Sequence, residues 1–212
     1  MDTTRCNEER KSRRHIAALA VTAIVLGACA AQTPTRAPAR IEIQESVGFT
    51  ITEDIDVSGD MRTDYEEAVR LLEQGQPQGI RVMQDVILEA PDLVSPYIDL
   101  GIALHRAGDL EGAEQSLLKA RALNPEHPVV HNELGIIYRK TGRFAEARKS
   151  YEAALAIYPN YHYTRRNLAV LCDLYLADTN CALENYEAYM NTVPGDDEAA
   201  MWVADLRLRT GK

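Results

Sequence analysis

Residues 97–104 read YIDLGIAL and residues 131–138 read HNELGIIY. Each residue of the second stretch stands 34 positions after its counterpart in the first. The correspondence continues downstream: Gly108 with Gly142, Leu110 with Phe144, Ala113 with Ala147, Leu117 with Tyr151, Ala120 with Ala154 and Pro125 with Pro159. Leu100, Gly101 and Leu104 fall on one face of a first helix, and Ala113, Leu117 and Ala120 on one face of a second. Gly108 stops the first helix, and Pro125 and Pro159 end each pair because proline cannot continue a helix interior. The small residues Gly101, Ala113 and Ala120 let two antiparallel helices approach closely. One such pair cannot cover its own apolar surface, so pairs of this kind stack on their neighbours.

Self-similarity at a period of 34 with these residue types resembles the tetratricopeptide repeat, most strongly over residues 94–161. Weaker copies flank it. Tyr65, Gly79, Met83, Val86 and Pro91 keep the spacing upstream; Leu168, Ala169 and Cys172, then Ala182, Tyr186, Tyr189 and Pro194 keep it downstream, after one extra residue in the turn ADTN. The resemblance implies an all-α fold, a superhelix of about four helical hairpins at 61–93, 94–127, 128–161 and 162–195. The remaining stretch, 196–212, reads as a single capping helix. Asp196 or Asp197 would cap its start, Gly211 would end it, and Trp202, Val203 and Leu206 would face the last pair.

The N-terminal region has a different character. Arg5, Arg10, Lys11, Arg13 and Arg14 precede a largely apolar run from Ile16 to Ala28. As a helix it spans about 20 Å, short of the roughly 20 residues a bilayer crossing needs, and it has no amphipathic face. A basic stretch, a short apolar core and then small residues is the layout of a secretory signal peptide, here 1–28. Leu26, Gly27, Ala28 and Cys29 resemble the lipobox of bacterial lipoproteins. That resemblance implies cleavage before Cys29, acylation of its thiol and anchoring to a membrane, each buried methylene contributing about 0.8 kcal/mol. An aspartate next to the cysteine would resemble an inner-membrane retention signal. Ala30 and Ala31 stand there instead, so the expectation is the outer membrane, facing the periplasm. Residues 29–60 would then hold the lipidated N-terminus, a proline-bearing tether and a period-two segment, 41–58, of extended structure. A hairpin and a strip lying along the next helix both fit that segment.

Little in the sequence supports catalysis. The formal charge of −9 argues against general affinity for nucleic acid or anionic headgroups. There is no HExxH, no phosphate-cradling loop and no G-x-S-x-G. His105, His127, His131 and His162 are expected at the solvent surface or in a groove rather than as metal ligands; Pro128 keeps His127 and His131 off one helical face. The expectation is a protein without enzymatic activity, metal or small-molecule substrate, its only attached group being the lipid on Cys29. Cys6 would leave with the signal peptide, so Cys172 and Cys181 remain, on either side of the enlarged turn. They form a disulfide or pack as two buried thiols; the exported compartment favours the bridge.

In tetratricopeptide domains the first helices of the hairpins line a concave groove. Carrying the groove positions onto this frame gives three rows. The first is Ser95, Ile98, Ile102, His105 and Arg106; the second is Val129, Asn132, Ile136, Arg139 and Lys140; the third is Tyr163, Arg166, Val170, Asp173 and Leu174. Arg106, Arg139, Lys140 and Arg166 thus gather beside Ile102, Ile136 and Val170. Helix C-terminal turns favour basic residues in any case, which accounts for all of these but Arg166. The resemblance implies protein partners from the cell envelope, with carboxylates meeting the cations and apolar side chains over the strip. The phrases N167-L-A-V-L-C-D-L-Y-L and C181-A-L-E-N-Y-E-A-Y look similar to lipoproteins associated with TonB/ExbB systems. Pilus assembly factors and adaptors of peptidoglycan enzymes share the build, and a self-associating structural module is the alternative.

Overall fold

The computed structural model describes residues 40–44, 48–52 and 57–211. The basic stretch, the apolar run and Cys29 lie outside the described residues. The period-two segment contains two strands, β1 (Arg40–Gln44) and β2 (Gly48–Thr52), paired antiparallel with Ile41 opposite Ile51 and Ile43 opposite Phe49.

Helix begins once Ser58 accepts a hydrogen bond from the Met61 amide at 3.2 Å. Four hairpins follow: α1 (Gly59–Glu73) with α2 (Gln78–Glu89), α3 (Val94–Ala107) with α4 (Leu110–Leu123), α5 (Pro128–Lys140) with α6 (Phe144–Ile157), and α7 (His162–Leu174) with α8 (Thr179–Thr192). A single helix, α9 (Asp197–Thr210), closes the stack. Asp109, Asp178 and Asp196 cap α4, α8 and α9 by accepting from the amides of Gly112, Cys181 and Ala199. Pro128 opens α5, where its missing amide hydrogen is not needed. Gly108 and Gly211 end α3 and α9 in the left-handed region, at φ 88° and 70°.

Within each hairpin the helices meet at the repeat's small residue. A Cβ on Gly101 would stand 2.7 Å from Leu117 Cγ, and one on Gly135 would stand 2.6 Å from Tyr151 Cδ1. Leu117 and Tyr151 are fully buried there, together with Leu134, Ile137 and Leu171. Between hairpins, one continuous core runs from Val94 in α3 to Leu206 in α9, with a smaller one of Ala68, Met83 and Leu100 at the α1 end. Val203 and Leu206 of α9 are buried against the last pair, and Trp202 packs on Tyr186 with ring centroids 5.2 Å apart.

Polar ties run between successive hairpins. Arg143 at the start of α6 reaches Glu114 of α4 at 2.7 Å, and Arg148 of α6 reaches Asp178 at the start of α8 at 3.2 Å. Cys172 and Cys181 are bonded to each other across the α7/α8 turn, their Cα atoms 5.9 Å apart. Closing this short loop contributes roughly 2–3 kcal/mol in the chain-entropy model. The turn absorbs its extra residue through Ala177, which adopts a left-handed φ of 53°.

Substituting Gly135→Ala should lower the unfolding free energy by about 1–3 kcal/mol in a urea titration, because the added methyl must displace the buried Tyr151 ring. Gly195→Ala, where an added Cβ meets nothing within 4 Å, should leave the titration within about 0.5 kcal/mol of the parent. Equal effects at the two sites would remove the close-approach argument.

Candidate functional site

The first helices α3 and α5 bring their C-terminal turns together. Arg106 and Lys140 are exposed there, and His105 and Arg139 are half-buried. Burial lowers the His105 pKa below the ordinary histidine value, and the charges of Lys140, Arg106 and Arg139 lower it further. Three cations therefore act on one imidazole, so the cluster is favourable to a negative group. Ile102 and Ile136 are half-buried beside it.

Two carboxylates lie on the same helices. Asp99 accepts a hydrogen bond from the Tyr65 hydroxyl at 2.5 Å, and Glu133 accepts one from the Asn132 side-chain amide at 2.9 Å. Burial raises both carboxyl pKa values above their ordinary range, while those hydrogen bonds and the Arg106 charge pull them back. Asp99, Glu73, Ile102 and Arg106 border a cavity of about 170 Å³ between α1 and α3. Arg106 is thus the shared counter-charge of this acidic floor as well as part of the cationic rim.

Several expected groove residues are placed differently. Ile98 is 6% exposed and belongs to the main core. Asn132, 2% exposed, accepts from Thr164 Oγ1 at 2.9 Å and from Asn167 Nδ2 at 3.0 Å, tying α5 to α7. The fifth position of the repeat here faces the next first helix, so it fills the interface instead of lining an open surface. His127 is also buried, at the N-cap of α5, and burial pushes its pKa down to about 4.

Toward the C-terminal end, the cations already have partners. Arg139 stands over the Tyr175 ring at 5.8 Å, and its charge opposes the burial that pushes the Tyr151 phenol up to about 12. Arg166 lies over the Trp202 indole at 5.4 Å and pairs with Glu198 at 3.5 Å, both from α9. Asp173 pairs with Arg209 of the same helix. Val170 is half-buried against the core, whereas Tyr163 and Leu174 are exposed. Ser95 and Val129 are half-buried. The available charges are accordingly Arg106 and Lys140, and the third row is covered in part by the capping helix. Asp99 and Glu133, overlooked as site residues, were visible in the sequence as the acidic third residue of both opening stretches.

Among the described residues, Cys172, Asp178 and Cys181 are the grouping with metal-ligand spacing, but the two sulfurs are bonded to each other. Among the described residues no helix is long and apolar enough to cross a membrane.

A tetratricopeptide-repeat family model matches residues 98–162. Over 62 residues the chain is 40% identical to anaphase-promoting complex subunit 6 of Dictyostelium discoideum; the match covers 29% of this chain and 7% of that protein. A thermophilic TPR protein of Thermus thermophilus superposes with a TM-score of 0.60 at 25% identity, over 71% of this chain and 82% of that one. MamA of Desulfovibrio magneticus gives 0.64 at 18% identity, over 74% and 88%. PilF of Pseudomonas aeruginosa gives 0.64 at 18%, over 71% and 68%.

Replacing Lys140 by Gln should raise the His105 pKa toward the ordinary value, read from the imidazole resonances in an NMR pH titration. An unchanged midpoint would mean that the cations do not converge on this histidine.

Proposed function

We propose that this chain, a tetratricopeptide-repeat protein, is an adaptor that binds acidic peptide segments of cell-envelope proteins through the α3/α5 face. Tetratricopeptide repeats are protein-interaction modules, and the stacked hairpins offer a scaffold on which several partners can be held. The observation that carries the reading is the placement of the exposed Arg106 and Lys140 in the last turns of α3 and α5, beside the half-buried His105, in a protein whose overall charge is −9. A cationic cluster on an acidic protein favours carboxylates locally and repels acidic surfaces elsewhere, so it sets orientation as well as affinity. Ile102 and Ile136 supply apolar surface beside it.

In this reading Cys29 is the mature, lipid-bearing N-terminus, and the repeats face the periplasm from the outer membrane. What supports this is the sequence of residues 5–29: the basic stretch, the short apolar run and the lipobox-like LGAC. The adaptor would serve a multiprotein machine of the TonB/ExbB or pilus-assembly kind. It performs no catalysis. Self-association is the second reading, favoured by Met201 and Leu208, an exposed apolar stripe on the outer face of α9.

Two experiments test these statements. Cys29→Ala should abolish incorporation of labelled palmitate and move the protein from the membrane to the soluble fraction; retained labelling would remove the anchor. A double charge reversal, Arg106→Glu with Lys140→Glu, should weaken recovery of the envelope partner that crosslinks to the parent protein. The loss should be larger at low salt than at high salt, since exposed charges are screened. Recovery independent of both charge and salt would move the partner to another face.

A further inference from the structure

The second helices α2, α4, α6 and α8 follow one another along the face opposite the site above, and two of the three grooves between them are bridged. In the α4/α6 groove Arg143 reaches Glu114 at 2.7 Å while its guanidinium lies over the Tyr138 ring at 4.2 Å. In the α6/α8 groove Arg148 reaches Asp178 at 3.2 Å. Among the described residues no ion pair spans the α2/α4 groove. It holds instead a cavity of about 640 Å³, floored by Tyr97, Leu100 and Leu104 and edged by Leu88, Asp85 and Asp109.

The 34-residue frame explains the difference position by position. In that frame Glu114 is matched by Ile80, which lines a neighbouring cavity with Leu72 and Ala103; Arg143 is matched by Asp109, Tyr138 by Leu104 and Glu146 by Gly112. Asp109 turns back to cap its own helix, its Oδ1 accepting from the Gly112 amide at 2.9 Å. An arginine, its carboxylate partner and the aromatic shelf beneath it are therefore all replaced at once. The groove keeps the apolar floor and gains carboxylates at its edge. Leu88 stands at its edge, 79% exposed, and adds apolar surface to the floor. Lys119 brings a cation to the rim, its ammonium 6.0 Å from the Tyr97 ring centroid.

We infer that the α2/α4 groove is a docking surface for a partner segment that presents an arginine between apolar side chains. The chain itself supplies the template, since an arginine fills the equivalent groove one repeat along. Charge decides the sign. Asp85 and Asp109 favour a guanidinium entering from outside, and Leu88 offers apolar contact for its neighbours. The surface is separate from the cationic α3/α5 cluster and takes a ligand of opposite charge, so the two faces discriminate between partners.

The test is titration of the isotope-labelled full chain with the capped peptide LRFL, and with its control LEFL, followed by amide NMR. The expected result is saturable shifts at Leu88, Gly112 and Gln115 with LRFL and none with LEFL. Leu88→Lys and Asp85→Lys, both at exposed positions and checked for an unchanged melting temperature, should each weaken binding by about tenfold, the range for a charged hydrogen bond or anchor contact. Lys119→Glu should tighten it. Equal binding of LEFL, shifts confined to His105 and Lys140, or no saturable shift would overturn the assignment. So would concentration-dependent shifts of the same amides without peptide, which would give the groove to a second copy of the chain.

Discussion

The close crossing of the two helices in each hairpin is the constraint on which the rest depends. Gly101 and Gly135 let Leu117 and Tyr151 press against backbone, where a methyl group would collide. That approach fixes the angle within a pair. It leaves a face of each hairpin that only the next hairpin can cover, hence the continuous core from Val94 to Leu206. Because the crossing recurs every 34 residues, every feature at a given repeat position recurs in space as well. Function then resides in what the repeat keeps at its surface and in where it departs.

Three such features carry the functional reading. Asp99 and Glu133 keep a carboxyl at one position of successive first helices, while Arg106, Arg139 and Lys140 converge at the helix ends. The extra residue after α7 is taken up by Ala177 and enclosed by the Cys172–Cys181 bridge, so the last hairpin remains a firm seat for α9. On the opposite side, the exchange of an arginine for Asp109 turns a bridged groove into an open one. In each case the feature lies outside the crossing that holds the stack.

Much of the architecture was legible in the residues, because helix stops at Gly108 and the prolines and the apolar face at Leu117 are local signals. The extent of the strands and the capping role of Asp196 could also be approached from alternation and residue type. What was not legible was which side of a first helix its neighbour covers. Ile98 and Asn132 look like groove residues in a linear frame, yet the twist between hairpins turns them into the interface. Asn132 is there engaged by Thr164 and Asn167, about one repeat further along the chain. The partners of Arg166 were hidden for a related reason: Trp202 and Glu198 come from α9, outside the repeat frame. His127 is likewise a tertiary matter, since nothing local distinguishes a buried N-cap histidine from an exposed one.

The central claim is that the first helices present the partner surface, and a photo-crosslinking amino acid placed at Ile136 in the native envelope tests it most directly. This position is half-buried in α5, at the middle of the stack and beside the cationic cluster. The account predicts a discrete adduct with an envelope protein, lost when excess acidic peptide is added to opened cells. The absence of any adduct from Ile136, with adducts forming at Leu88 on the opposite face, would contradict it.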